Sequence, residues 1–431
     1  MSETYMYAPA QSNAMSGRRV GRTPLRIRNA AEDIAGRFVH DGPCRPLRLA
    51  FLWAYWTGYI DSTVQYLRSE HHVMVFRARQ QGHVGSLNGQ YRFAEESFGP
   101  VEAELIYGAE IDVDALDHAL REFGPDGIVV LSWRRRAYRQ LMKRWAGRAV
   151  RIVCLDSQWR GHLGALRSRS EFPLLLKQWG GRALRRYFFH TLFDGALLCG
   201  PKYLDGQGCP AVRQSRQMKF ALKMGFHPDD VCEGFAVCDW HMLAHGRHPA
   251  NARERKRFLF VGRYVPVKGV SILVDAYRLY GRHSPEPWPL IVAGDGPLKH
   301  LFSGVPGIQD IGFVQTKRLP EVLAEAACLV LPSILEPWGV VIQEAVSAGL
   351  GVICTDECGA GDVFVQQDVN GFIVPTGNVD ALAGAMRKFS ESKEFLEGVP
   401  NASIEMSKRL LPSSFAETVI PFIQARRQFV S

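Results

Sequence analysis

The sequence predicts an α/β protein of two Rossmann-like, doubly wound domains facing a central cleft, and three observations predict it. The 431 residues exceed what one ordinary core of ~100–200 residues holds. Short apolar runs alternate with amphipathic helical stretches, as they do in a parallel sheet with helices on its faces. That alternation starts twice, at Pro46 and again after Asn251. At 46% hydrophobic and 22% charged residues, the composition is that of a globular protein and excludes global disorder, collagen and coiled coil. No uninterrupted apolar run approaches the ~18 residues of a spanning helix, and Met1–Gly17 lacks the pattern of a secretory leader. Nine scattered cysteines, with neither CxxC nor paired metal spacing, are expected as reduced thiols in a cytoplasm.

Residues 1–45 are expected as a basic, poorly ordered lead-in. The first domain, 46–240, opens on the buried-strand pattern Pro46–Trp53. A helix is expected over Ile60–Leu67, with strands at Val73–Phe76, Ile128–Leu131, Arg151–Leu155 and Gly195–Cys199. The second domain, 255–412, has strand patterns at Arg257–Val261, Pro289–Ala293, Ile308–Gly312, Cys328–Pro332 and Leu350–Cys354. Helices are expected over Val270–Tyr280, Gly339–Ala348 and Ala381–Phe389. Residues 413–431 form an amphipathic helix that either crosses the domain junction or ends the second domain. Ligands of such sheets bind beyond the carboxyl ends of the strands.

Charge is divided unevenly. Residues 1–200 hold 28 Lys and Arg against 19 Asp and Glu, whereas residues 201–431 balance at 24 each. Within Arg134–Arg186 the count is 15 against 2, so one domain is expected to face something anionic.

Three motifs could carry chemistry. In Val261-Gly-Arg-Tyr-Val-Pro-Val-Lys-Gly269, Arg263 and Lys268 follow a strand and a turn glycine; Arg forks onto phosphate oxygens and Lys supplies a point charge, although two solvated cations would look the same. Ile291-Val-Ala-Gly-Asp-Gly-Pro297 imitates a dinucleotide fingerprint, but Lys299 stands where its third glycine belongs. A strand-to-helix turn explains it. The third, Glu336-Pro-Trp-Gly-Val-Val-Ile-Gln-Glu344, places two carboxylates around a helix start near Gly339, where free N–H groups and the dipole suit an anion. Glu344 lies ~7.5 Å up the axis at ~1.5 Å per residue, an offset that suits a sugar ring attached to a phosphate at the helix end. Both glutamates fit hydroxyls better than phosphate. No DxD lies between a strand and a turn, and no His/Cys cluster has ligand spacing, so no metal is expected.

These motifs, in this order, resemble the family 4 glycosyltransferases of the GT-B fold from about Phe258 to Phe389. The likeness continues through Cys358-Gly-Ala-Gly-Asp362 and Val369-Asn-Gly-Phe-Ile-Val-Pro375. The resemblance implies transfer of a sugar from a nucleotide-diphosphate donor with retention, without metal or cofactor. Arg263 and Lys268 would hold the diphosphate together with the backbone of Gly339 and Val340. Glu344 would bind the ribose, Glu336 the transferred sugar near its anomeric carbon, and Phe313 and Val314 would border the base. Gly58 matches the place where the family brings backbone close to the donor, although a single glycine stands where a pair is common.

The acceptor, a glycan or a lipid-linked one, is expected on the first domain. His162, in Asp156-Ser-Gln-Trp-Arg-Gly-His162, is the candidate base, with Asp156 as its rival. The cations and aromatics of Trp133–Tyr138 and Trp179–Phe189 suggest docking of Arg134–Arg186 on an anionic membrane surface, with the protein peripheral on its inner face. A solvated basic helix face is the alternative. An epimerase or phosphorylase on the same fold stays open. A nucleic-acid binder is disfavoured, because it gives Glu336, Glu344 and Arg263 no role.

Overall fold

The computed structural model describes residues 45–53, 58–78, 103–107, 111–131, 133, 135–155, 182–201, 215–245 and 254–428. Residues 1–44 and 45–431 are separate units, and the second unit carries all of the architecture that follows.

The first domain builds a seven-stranded parallel sheet. Its strands are β1 (Arg48–Trp53), β2 (His72–Ala78), β3 (Ala103–Tyr107), β4 (Gly127–Val130), β5 (Val150–Leu155), β6 (Gly195–Cys199) and β7 (Val231–Phe235), in the order β3-β2-β1-β4-β5-β6-β7. Its described helices are α1 (Gly58–Leu67), α2 (Val113–Phe123), α3 (Arg136–Arg144), α4 (Arg182–Leu192), α5 (Arg216–Met224) and α6 (Trp240–His245). The central strands β4, β5 and β6 are buried at every residue, as strands covered on both faces must be. Helix α2 shows how local sequence fixes an element: Asp112 accepts from the N–H groups of Asp114 and Ala115, and Gly124 ends it at φ 61°.

The second sheet has six parallel strands: β8 (Phe258–Val261), β9 (Leu290–Ala293), β10 (Ile308–Gly312), β11 (Cys328–Leu331), β12 (Gly351–Thr355) and β13 (Gly371–Val374). Their order is β10-β9-β8-β11-β12-β13. Helices α7 (Val270–His283), α8 (Leu319–Ala324), α9 (Val340–Ser347), α10 (Gly361–Phe364), α11 (Val379–Glu391) and α12 (Lys393–Ser407) cover it. The order reverses between β8 and β11, and a crevice opens at such a switch point. The segment Val369–Pro375, which resembles a family turn, contains edge strand β13.

Helix α13 (Ser413–Arg427) returns to the first domain. Phe415 packs with its ring tilted, 5.9 Å from that of Phe51, a Cβ on Gly234 would lie 2.5 Å from the Ser414 carbonyl oxygen, and Arg426 pairs with Asp230. Gln343 of α9 ties both crossings between the domains. Its Oε1 accepts from the Cys238 N–H at 3.0 Å and its Nε2 donates to the Leu410 carbonyl at 2.7 Å. The carboxyl edges of the two sheets face one another: a Cβ on Gly58 would touch Thr316 Cγ2 at 3.1 Å, and one on Gly200 would meet the Trp338 ring at 3.0 Å.

Candidate active site

The loop after β8 is shaped by close packing. Gly262, Arg263 and Tyr264 leave the strand, and Gly294 and Gly296 of the neighbouring loop lie so near that a Cβ on either would collide with the carbonyl oxygen of Gly262 (1.9 Å) or Tyr264 (2.6 Å). This accounts for the Gly-Asp-Gly run. It packs two loops together and does not open a helix at Asp295 as expected, because Tyr264 donates to the Asp295 carbonyl and accepts from Leu298. A single 3-10 turn follows at Lys299–Leu301.

Pro266–Lys268 form another 3-10 turn, ended by Gly269 at φ 68°, whose missing side chain admits the Pro332 carbonyl oxygen (2.0 Å from an ideal Cβ). The N–H of Ile334 donates to the Val267 carbonyl at 2.8 Å. The loops after β8 and β11 are thereby stitched together across the switch point, and Lys268 meets Glu336. Their side chains form an ion pair at 16% and 10% exposure, and Ser333 Oγ donates to the same Glu336 oxygen at 3.1 Å. The stitch at Val267 thus brings the side chains of Lys268 and Glu336 together, a contact that the spacing of the motifs does not predict. An ammonium group has three N–H donors, and Glu336 takes one.

Gly339, at φ 92°, starts α9 as expected, and its αL conformation excludes most other residues. The Glu336 Cγ lies 2.9 Å from where a Gly339 Cβ would stand, so the carboxylate stem folds over the helix entry. The N–H groups of Val340 and Val341 open α9 without a partner inside the helix, while Ile342 donates to the Gly339 carbonyl at 2.9 Å. Arg263 is half-buried, and among the described residues no acceptor reaches its guanidinium. Glu344 sits one turn up α9, half-buried, and burial pushes its carboxyl up to about 7. Phe313 and Val314, partly exposed, follow β10 beside Thr316, which touches Gly58 at the amino end of α1. Arg263, Lys268, Phe313, Val314, Glu336, Gly339, Val340 and Glu344 thus all belong to loops and helix starts at the carboxyl edge of the second sheet, and Gly58 reaches that edge from the first. His162 and Asp156 lie outside the described residues.

Several aromatics of the anticipated membrane patch are core, whereas Tyr187 is 71% exposed. Tyr138 is fully buried, Phe189 nearly so, and Trp133 packs edge-on against Phe188 and Phe189. Arg151, also in the basic stretch, is buried in a bidentate pair with Asp194 (2.8 and 3.0 Å), and Arg144 pairs with Asp114. Arg136, Lys143 and Arg148 remain exposed. No helix among the described residues is long and apolar enough to cross a membrane, and no group of three His, Cys, Asp or Glu among them could hold a metal ion.

Sequence reasoning missed Gln217. Its amide Nε2, on α5 of the first domain, donates to the Pro337 carbonyl at 2.5 Å. Nothing local to Ser215-Arg-Gln217 signals this, because the partner is 120 residues away.

Comparison with known proteins bears on this edge directly. Residues 246–406 match the model of the family described as glycosyl transferases group 1. An uncharacterized glycosyltransferase of Methanocaldococcus jannaschii is 29% identical over 156 residues, covering 34% of this chain and 39% of that protein. Another, of Bacillus subtilis, is 25% identical over 191 residues, covering 39% and 53%. The O-antigen chain mannosyltransferase B of Escherichia coli is 29% identical over 133 residues, covering 29% and 34%. The matches thus span about two-fifths and about half of the first two relatives. Among solved structures, Anabaena HepE in complex with UDP and glucose superposes with a TM-score of 0.59 at 16% identity, covering 86% of this chain and 97% of that one. Sucrose-phosphate synthase of Thermosynechococcus elongatus gives 0.58 at 15%, covering 89% and 98%. At those identities the likeness shows the fold, two Rossmann-like domains arranged as in GT-B glycosyltransferases. Within that fold, residues 246–406, which carry every second-domain site residue named above, match the group 1 glycosyl transferases.

Proposed function

We propose that the protein is a glycosyltransferase that takes a nucleotide-diphosphate sugar as donor, transfers the sugar with retention and uses no metal. The observation that carries this reading is that the loop bearing Arg263 and Lys268 and the loop that opens α9 are stitched together at the switch point of the second sheet, with Glu344 one turn up α9. Two cations and a helix terminus offset the charge that develops on a departing diphosphate, which is where preorganised donors act on the rate. Arg263 forks onto phosphate oxygens, and Lys268 shares its ammonium between phosphate and Glu336. Glu344 accepts from ribose hydroxyls, while Glu336 faces the transferred sugar. Phe313 and Val314 flank the base, and Gly58 brings the first domain's backbone to the donor. HepE was crystallised with UDP and glucose, which supports a nucleotide-sugar donor by analogy of fold.

We assign the acceptor, a glycan or a lipid-linked one, to the first domain, in polysaccharide or glycolipid synthesis like that of the O-antigen mannosyltransferase. A cytoplasmic protein peripheral to a membrane needs only the exposed cations Arg136, Lys143 and Arg148, each contributing about 1 kcal/mol near an anionic leaflet. A thermal-shift panel of UDP-, GDP-, ADP- and TDP-linked sugars tests the donor: a ligand at ~100 times its Kd stabilises by ~2.7 kcal/mol. A panel in which none shifts the transition, at millimolar concentration without divalent cations, removes the reading. Product formed without an added acceptor would mean an epimerase instead, and a requirement for free phosphate a phosphorylase.

A further inference from the structure

We propose that Gln217 of the first domain is a positioning residue for the diphosphate grip of the second, acting through the Glu336–Gly339 loop. The inference rests on the donor reading above and adds to it that the grip is incomplete within its own domain.

The loop's backbone is accounted for carbonyl by carbonyl. Glu336 and Cys358 form a parallel bridge: the Glu336 carbonyl accepts from the Gly359 N–H at 3.1 Å, and the Trp338 carbonyl from the Ala360 N–H at 2.8 Å. Between them the Pro337 carbonyl faces the opposite way, as alternate carbonyls of an extended segment do. It has no donor in the second domain among the described residues; its donor is the Gln217 amide, 2.5 Å away and 2% exposed. A partly buried carbonyl that loses its donor is disfavoured, so Gln217, with the two flanking bonds, fixes which way this peptide lies.

The surroundings are built around that bond. An ideal Cβ on Gly359 would stand 2.3 Å from the Pro337 oxygen and 2.9 Å from Gln217 Nε2, so only glycine leaves the amide its place. Ser215 caps α5, accepting from the Met218 N–H at 3.0 Å, and this sets where the helix begins. The neighbouring Arg216 grips Asp362 with two bonds, at 2.9 and 3.2 Å, and anchors the same helix end to the second domain. Trp338 packs its ring on Gly200 of the first domain. On either side of the clamped peptide stand Glu336, the partner of Lys268, and Gly339, which opens α9. A rotation of the Pro337 peptide turns both, and with them the N–H groups aimed at the phosphates.

Isothermal calorimetry on the full chain tests this with UDP, GDP, ADP and dTDP, using whichever binds the wild type tightest. Gln217→Met keeps the side chain's length without a donor, and Gln217→Glu sets an oxygen against the carbonyl oxygen. The expected result is a Kd raised about tenfold for Gln217→Met and further for Gln217→Glu, with stoichiometry near one and donor turnover falling in the same order. A merely structural role would lower the competent fraction, read as stoichiometry, and leave the Kd of the remainder unchanged. Both variants binding at the wild-type Kd overturns the inference, even if some protein misfolds. A wild type that binds none of the four diphosphates overturns the donor reading itself, and this inference with it.

Discussion

The two sheets share their first five strand positions, one order of β3-β2-β1-β4-β5 and the other of β10-β9-β8-β11-β12, yet their cations do opposite work. In the first domain Arg151 is buried against Asp194 and Arg144 pairs with Asp114 at the surface, while Lys143 and Arg148 face solvent, so none of these cations stands at the carboxyl edge of a strand. In the second domain, with no net charge excess, Arg263 and Lys268 stand on loops at the switch point. Net charge is thus a poor guide to where an anion binds. A cation's place relative to a strand's carboxyl end decides more, since Lys268 too has a carboxylate partner in Glu336.

The contrast can be broken most severely where the first domain depends on the far end of the chain. Phe415→Ala of α13 empties a fully buried site against Phe51, and a loss of about 3–5 kcal/mol is expected in urea unfolding. A loss below 1 kcal/mol would show that α13 is dispensable to the first sheet. Next, Lys268→Ala should lower donor turnover 10²–10³-fold, or about 3–4 kcal/mol, with an unchanged circular dichroism spectrum. Arg144→Ala, in the basic domain, should change turnover less than twofold. Equal effects would erase the distinction between the two domains.

Glu344 sharpens the comparison through pH. Its carboxyl is raised to about 7 in the fold from an unfolded 4.5, because burial disfavours the charged form. A raised carboxyl binds its proton more tightly when folded, so the destabilisation is absent below pH 4.5, grows between 4.5 and 7, and is complete above 7. Glu344→Gln should therefore melt higher than wild type at pH 8, with the difference vanishing near pH 4.5, and should bind donor about tenfold more weakly. A melting difference independent of pH would sink that account. The smallest effect belongs to Arg136, Lys143 and Arg148: reversing all three should abolish flotation with anionic liposomes at low salt and leave turnover of a soluble acceptor intact.

The second domain was the more legible half. Its strands and the start of α9 at Gly339 follow from apolar runs and from one glycine whose φ of 92° few other residues adopt. Arg263, Lys268 and Glu344 were readable because each lies within a few residues of a strand end or helix start. The Lys268–Glu336 pair was not, since it depends on the Val267 carbonyl holding Ile334, a contact 67 residues apart. In the first domain Trp133 and Tyr138 read as interfacial beside arginines, but α3 turns Tyr138 inward and Trp133, just before it, packs edge-on against Phe188 and Phe189. Helices α4, α5, α6, α8, α10 and α12 and strands β3, β7 and β13 escaped, and so did α2, although its Asp112 cap and Gly124 stop are local signals that could have found it.

What the sequence determined alone is local: where strands stop, where a helix must start on glycine, and which side chains those ends present. Only the tertiary structure decided what completes them, namely α13 across the first sheet, Gly359 beside the Pro337 carbonyl and Gln217 donating to it. The reason is that an orphaned carbonyl or an uncovered sheet face is satisfied by whichever group the fold brings near. Distance along the chain carries no record of that choice.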